Sequence, residues 1–454
     1  MPASARSVNA WLLVGEDDPL DMTYFSLNSA YQSALRYGVY RYVTMLNIAF
    51  FETVPVGKAT VPSSSSATGY TIQIQGADVV HPGPPGNPTT QQYFEQLIKD
   101  ARAQNPGLPL LATLNWGDEQ TLSRIFSSPD TQKCAETFAR NLVRFFQHYG
   151  LNGLDIDWEP PLSEETTGEQ LNALLTAVRA EYAKHPSPAC YLTLSPVTAY
   201  ELTGTVINAN VDFVTLQLYG EAEPNDYTSP PCNIDSSLLA YGAKFEAVSR
   251  RGPGYQTAQK AYQGYQDGQY RHMTQWRLNS LNFPYEQAQQ MILHQLVFGI
   301  PGDSFDDGPI VAAAENAPIS QIVVRAGEVL DAIQVSNTGI VLGQSQSYQL
   351  LRHGGKGGTE HVQDVSTTDP IVTMSGFTGP WLGRNVVLQV QFTTRSGVTF
   401  GPYGSMNQAT SKTPFSITAP AGQAIVAFNG TTAAVPEAPG GASAVIAALG
   451  AVFS

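Results

Sequence analysis

The sequence predicts an α/β chain in two parts, a (β/α)8 barrel over residues 1–299 and an all-β domain over residues 300–454. Three observations predict it. Short β-rich segments alternate with amphipathic stretches through the first 300 residues, the pattern of parallel strands joined by helical crossovers. One segment, Gly153-Leu154-Asp155-Ile156-Asp157-Trp158-Glu159, interleaves acids with large apolar residues. Beyond residue 300 helical periodicity gives way to short strands between Gly, Ser and Thr turns, as all-β domains require.

The barrel strands read as Val8–Val14, Tyr42–Phe50, Leu108–Leu114, Gly153–Trp158, Cys190–Pro196, Phe213–Tyr219, Leu239–Phe245 and Tyr270–Trp276. Helical patterns lie between several of them at Gln91–Gln104, Thr131–Tyr149 and Glu169–His185, and Pro284–Leu296 closes the ring. Such a barrel takes about 250 residues, so there is room for loop insertions. Val54–Thr90, rich in Ser, Pro and Gly, reads as an irregular excursion or hairpin over one rim.

Alternate residues of a strand share a face. In the acidic segment Gly153, Asp155, Asp157 and Glu159 therefore point one way, and Leu154, Ile156 and Trp158 point the other. Acids converging in one lumen cannot all ionise, so at least one is expected to hold its proton near neutral pH and be able to donate it.

The run Gly153 to Glu159 resembles the signature of family 18 glycoside hydrolases, the chitinases and endo-β-N-acetylglucosaminidases, with Asn152 standing where that family usually has Asp. The resemblance implies a TIM barrel with Glu159 as general acid. Asp157 would bond the N–H of the sugar's acetamido group, and Asp155 would share a proton with Asp157. It implies no separate carboxylate nucleophile, because the substrate's own acetamido oxygen attacks the anomeric carbon. Gln217-Leu218-Tyr219 resembles the Gln-x-Tyr of plant-type members, which implies that Tyr219 holds the acetamido oxygen and that Gln217 binds substrate. Leu111-Ala112-Thr113-Leu114-Asn115-Trp116-Gly117 departs from the usual Ser-x-Gly-Gly, placing Asn115 and Trp116 as substrate-binding residues, the indole as a stacking platform. Trp276 is the aromatic expected beneath the sugar being cleaved, since pyranoses present apolar faces to aromatic rings. Lys244, Glu246, Asn47 and Phe50 are further rim candidates, and Tyr255, Tyr262, Tyr265 and Tyr270 suit either a glycan groove or plain packing.

The second domain resembles the jacalin-like lectins, which implies a β-prism of three four-stranded sheets. The resemblance rests on Gln321–Ile333, on His353-Gly354-Gly355-Lys356-Gly357-Gly358 and on Phe392–Gly404. In such lectins a Gly-Gly loop and a Gly-x-x-x-Asp loop hold a sugar. Gly327 and Asp331 with Gly354 and Gly355 complete that pattern, while Ala447 stands where a first copy of the site would need Asp. Asp331 as a plain turn cap is the other reading.

The chain has 454 residues, a formal charge of −14 and 42% apolar residues. Acidity argues against nucleic acid and anionic membrane, and no run reaches the ~20 apolar residues of a span. Seven scattered histidines show no metal spacing, so no metal and no cofactor are expected. Cys134, Cys190 and Cys232 allow at most one disulfide. The segment from Met1 to Ser7 lacks the apolar core of a signal peptide, so a secreted location requires a removed leader or another export route. The expected function is a retaining glycosidase on β-1,4-linked N-acetylglucosamine polymers, held on a glycan surface by its lectin domain. The alternatives are an endo-acting glycosidase on N-glycans and a chitinase-like lectin that binds without cleaving.

Overall fold

A computed structural model describes residues 6–14, 35–59, 68–80, 88–115, 117, 122–186, 190–220, 222–245, 256–279, 283–341, 344–407, 409–436 and 444–454. The chain divides into two compact units, Met1–Glu286 and Gln287–Ser454.

The strands of the first unit are β1 (Ser7–Leu13), β2 (Met45–Pro55), β3 (Tyr70–Ile74), β4 (Leu110–Leu114), β5 (Gly153–Trp158), β6 (Tyr191–Pro196), β7 (Phe213–Leu216), β8 (Leu239–Lys244) and β9 (His272–Trp276). They run in the order β1-β9-β8-β7-β6-β5-β4-β2-β3, and β1 also pairs with β2, so a barrel of eight parallel strands closes on itself. β3 lies outside the ring, antiparallel to β2, and is the hairpin arm of the Val54–Thr90 excursion.

Helices α1 (Thr90–Gln104), α2 (Thr131–Tyr149) and α3 (Gly168–Ala183) start where the sequence supplies caps. Thr89 with Gln92, and Thr167 with Gln170, form capping boxes, and Asp130 accepts from Lys133 N–H. Gly150, at φ 70°, ends α2 in the left-handed conformation that only glycine adopts freely. Phe138, Leu142 and Phe145 recur at helical spacing on α2 and are buried, as are Leu171, Leu174, Leu175 and Val178 on α3. The outward strand residues Leu154, Ile156 and Trp158 are fully buried.

Register decides which side chains enter the lumen. Leu111 pairs with Gly153 and Thr113 with Asp155; Asp155 pairs in turn with Thr193, and Asp157 with Ser195. Lys244 is level with Trp276. Below the acids, Met45, Leu111, Tyr191, Phe213 and Ala240 form an apolar plug. His272 stacks on Phe213 with centroids 4.7 Å apart, its Nδ1 2.8 Å from Ser7 Oγ, and burial pushes its pKa down to about 4. Asn152 knits the strand ends, its Oδ1 accepting from Leu110 N–H (3.1 Å) and Arg102 Nη2 (2.7 Å). An amide oxygen thus serves where the family usually has a carboxylate.

The second unit is mainly β, with helical segments at 287–298 and Gly308–Ala313. Its strands are β10 (Ser304–Asp306), β11 (Ile319–Ala326), β12 (Leu330–Val341), β13 (Gln344–Gln349), β14 (His353–Gly354), β15 (Thr359–Asp364), β16 (Ile371–Trp381), β17 (Arg384–Thr394), β18 (Thr399–Tyr403), β19 (Thr413–Thr418), β20 (Ile425–Ala434) and β21 (Ala444–Phe453). Among the described residues they form three sheets: β10-β20-β21, β13-β12-β11-β15 with β14 on β12, and β18-β17-β16-β19. The sheets therefore hold three, five and four strands rather than four each, because the short β14 adds to the second. Val329, Trp381, Val386, Leu388, Val435 and Val445 pack as one core cluster. Asn337 ties two sheets together, its Nδ2 donating to Ala317 O and Val426 O at 2.8 Å each.

Gly153 is a packing necessity. A Cβ there would lie 2.0 Å from the Tyr191 carbonyl oxygen, and β5 cannot withdraw without breaking its pairing to β6. Gly153→Ala is expected to cost about 3 kcal/mol of stability, read as a lowered urea midpoint. An unchanged midpoint would show that the two strands have slack.

Candidate active site

Asp155 is fully buried at the heart of the barrel. Its Oδ2 accepts from Trp11 Nε1 (3.1 Å) and Thr113 Oγ1 (3.2 Å), and its Oδ1 from Thr193 Oγ1 (2.7 Å) and Ser195 Oγ (2.9 Å). Burial pushes its pKa up, and the four donors pull it back. Burial first, then the Glu159 and Asp155 charges, push the Asp157 pKa well up, which favours its protonated form.

Gln217 spans the pair. Its Nε2 donates to Asp157 Oδ1 (3.0 Å), Glu159 Oε1 (2.6 Å) and the Ser195 carbonyl (3.2 Å). The amide sets the spacing of two carboxyls that would otherwise repel. Glu159 follows the last residue of β5 and is half-buried, facing the pocket mouth at the carboxyl end of the strands.

These groups line a cavity of about 220 Å³ formed by Trp11, Asp157, Glu159, Gln217, Tyr219, Lys244 and Trp276. Trp276 is braced by Trp11 (centroids 5.9 Å) and Phe50 (5.8 Å). Strand β7 ends at Leu216, earlier than the sequence suggested, because Gly220 N–H turns back to Gln217 O (2.8 Å). Tyr219 therefore reaches the cavity from a turn, with Lys244 Nζ 5.7 Å from its ring centroid. Asn115 is buried, and its Oδ1 accepts from Gly117 N–H (2.9 Å) in a turn after β4. Trp116, Glu246 and Tyr255 lie outside the described residues. Trp11 was not singled out from the sequence. Its signal is faint, since a tryptophan in an apolar strand reads as core. The Thr193-Leu194-Ser195 alternation was the better clue to a polar inner face.

In the second unit the structure brings Gly327, Asp331, Gly354 and Gly355 together. Asp331 is the second residue of β12 and buried, beside the turn at Gly327, whose N–H donates to Val329 O at 3.1 Å. Gly355 N–H donates to Asp331 O at 3.0 Å. Gly354, at φ 98°, lies so close that a Cβ would sit 2.1 Å from that same oxygen. Ala447 lies inside β21 beside a register break.

Asp157 binds its proton more tightly folded than unfolded. Its contribution to stability is therefore fully present below the ordinary value of 3.8 and lost as pH rises through the elevated folded value. Asp157→Asn should accordingly be more stable than the parent at about pH 7.5. The gap should close near pH 3.5 or so. Thermal unfolding at the two pH values tests it, and a less stable variant at the higher pH would mean that Asp157 is held as an anion.

The barrel chemistry and the glycine loops match what comparison with other proteins finds. The model for glycosyl hydrolases family 18 matches residues 22–265, and that for the jacalin-like lectin domain matches residues 295–437. Chitinase 1 of Aphanocladium album is 27% identical over 165 residues, and the class V chitinase of Arabidopsis thaliana 27% over 163. The aligned parts cover 31% and 32% of this chain, and only 38% and 40% of those two proteins. Among solved structures, the artocarpin–mannopentose complex is 24% identical, covering 34% of this chain and 90% of that one with a TM-score of 0.26. The galactose-binding lectin from Champedak with Gal(beta)1,3-GalNAc is 26% identical, covering 34% and 99% with a TM-score of 0.26. With more than half of its length matched, and the acids of that match gathered at the mouth of a closed barrel, the chain belongs to glycosyl hydrolases family 18.

Proposed function

We propose that the protein is a retaining glycosidase that hydrolyses β-1,4-linked N-acetylglucosamine polymers, chitin or its oligomers. The observation that carries this reading is the Asp157–Glu159 pair, bridged by Gln217 above the Trp276 indole. Glu159 gives its proton to the glycosidic oxygen as the C1–O bond breaks. The acetamido oxygen of the same sugar forms the new bond to C1, giving an oxazolinium. Water then attacks C1 and loses its proton to Glu159, so the configuration is retained. Among the described residues, the carboxyls lining the cavity are Asp157 and Glu159. The raised Asp157 pKa favours its neutral, less nucleophilic form, which supports the acetamido group in that role. Asp157 is instead suited to orient the acetamido N–H, and Tyr219 its oxygen. Asp155 anchors the acid row from below.

The second unit supports a carbohydrate-binding role through Gly327, Asp331, Gly354 and Gly355. A cradle of this kind would hold the enzyme on a glycan surface and raise its effective concentration at the polymer. Action on such polymers would suit a secreted or extracellular protein.

Glu159→Gln keeps the shape and cannot give a proton, so turnover should fall by about 10²–10⁴-fold while substrate still binds. Release of a fluorophore from chitobiose and chitotriose conjugates, run beside a biantennary N-glycan, is the measurement. Chito-oligomer cleavage that disappears in the variant is the expected result. Cleavage of the N-glycan alone would make the enzyme an endo-β-N-acetylglucosaminidase, and silence on both would leave a binding protein.

A further inference from the structure

Arg325 stands on β11, level with Ala332 on one side and Glu360 on the other. Its guanidinium is engaged at every nitrogen. Nε donates to Gly357 O, Nη2 to Gly358 O and Nη1 to Glu360 Oε2, each at 2.9 Å. Two of these bonds fall on the glycine loop itself. Gly358, at φ 63°, is thereby pressed against the cradle, where a Cβ would lie 2.5 Å from both Asp331 Oδ2 and the Ala326 carbonyl carbon. The other end of the loop is tied by His353, whose Nε2 is 3.0 Å from both oxygens of the buried Asp307 and whose ring stacks on Phe305 at 3.8 Å. Burial raises the Asp331 pKa, and Gly327 N–H and the Arg325 charge lower it. Among the described residues, the charged or titratable groups on the segments flanking or paired with this loop include Glu328 in the β11–β12 turn, Glu360 on β15, and His353 and Lys356 beside the glycines.

We propose that Arg325 is the positioning residue of the glycan cradle: its fork fixes the main chain of Gly357 and Gly358 over Asp331. The proposal rests on reading Gly327, Asp331, Gly354 and Gly355 as a sugar site. Arg325 does not itself touch the sugar. It makes the loop present N–H groups at a fixed distance from an anionic acceptor, as a neutral pyranoside with adjacent hydroxyls requires. Fork and charge separate chemically, because lysine keeps the charge and lacks the planar fork that can span two carbonyls.

The test uses the full chain and its Arg325→Met and Arg325→Lys variants. Three quantities are read: amide hydrogen exchange in peptides spanning 354–364, titration of the Asp331 carboxyl by carbon-13 NMR assigned against Asp331→Asn, and calorimetric affinity for methyl α-mannoside, methyl α-galactoside and chitotriose across pH. Arg325→Met is expected to speed exchange by about tenfold, the equivalent of 1.4 kcal/mol, and to move the Asp331 titration and the acid limb of sugar binding to higher pH. Arg325→Lys should restore the titration and leave exchange fast. Wild-type exchange and titration in Arg325→Met would overturn the proposal. If that variant does not fold, Arg325→Lys decides, since wild-type exchange there overturns the clamp and fast exchange with an unmoved titration supports it. A parent protein that binds none of the three sugars, with exchange and titration responding as expected, keeps the clamp and removes the sugar reading.

Discussion

The barrel depends on one buried carboxylate. Asp155 sits in a lumen closed below by Met45, Leu111, Tyr191, Phe213 and Ala240, where an uncompensated charge costs several kcal/mol. Its four donors come from β1, β4 and β6, so satisfying it fixes the relative heights of strands from different parts of the ring. Trp11 reaches Asp155 from β1, which is not a neighbour of β5 in the ring. The same indole braces Trp276, so the position of the aromatic floor and the state of the buried acid are mechanically connected. Everything above follows from this anchor: Asp157 meets Glu159, and Gln217 settles between them.

How much of this the sequence disclosed depends on whether the signal was periodic. The β5 acids were legible because period-two alternation makes a face assignment, and a face inside a barrel brings charges together. The helix ends at Thr89, Asp130 and Thr167 follow from local cap chemistry. Asn115 closes a local turn by accepting from Gly117 N–H, a contact that hydrophobic pattern does not signal. Tyr219 was found as a residue and misplaced as strand, since a turn of Gln217 to Gly220 leaves no trace in hydrophobic pattern. Arg325 was invisible for the opposite reason. A lone arginine on an alternating strand reads as solvent face, and only the folded loop shows that two of its bonds go to glycine carbonyls.

The two candidate sites are built by different physics. In the barrel, side chains act: an indole floor, a phenol and two carboxyls surround a cavity of single-sugar size. Placement there is carried by strand register, which is stiff. In the second unit the candidate cradle is main chain and one carboxylate, and its loop is held by Arg325 bonding Gly357 and Gly358 and by His353 bonding Asp307.

That second arrangement bears on how the site can change. Main-chain N–H groups are the same whatever the residue, so side-chain substitution has little to tune. The glycines are also closed to replacement, because a methyl at 354, 355 or 358 would fall within 2.1–2.5 Å of atoms already there. Single substitutions in this loop therefore tend to abolish recognition rather than redirect it. A new sugar preference in a descendant of this protein would have to come through a loop of different length.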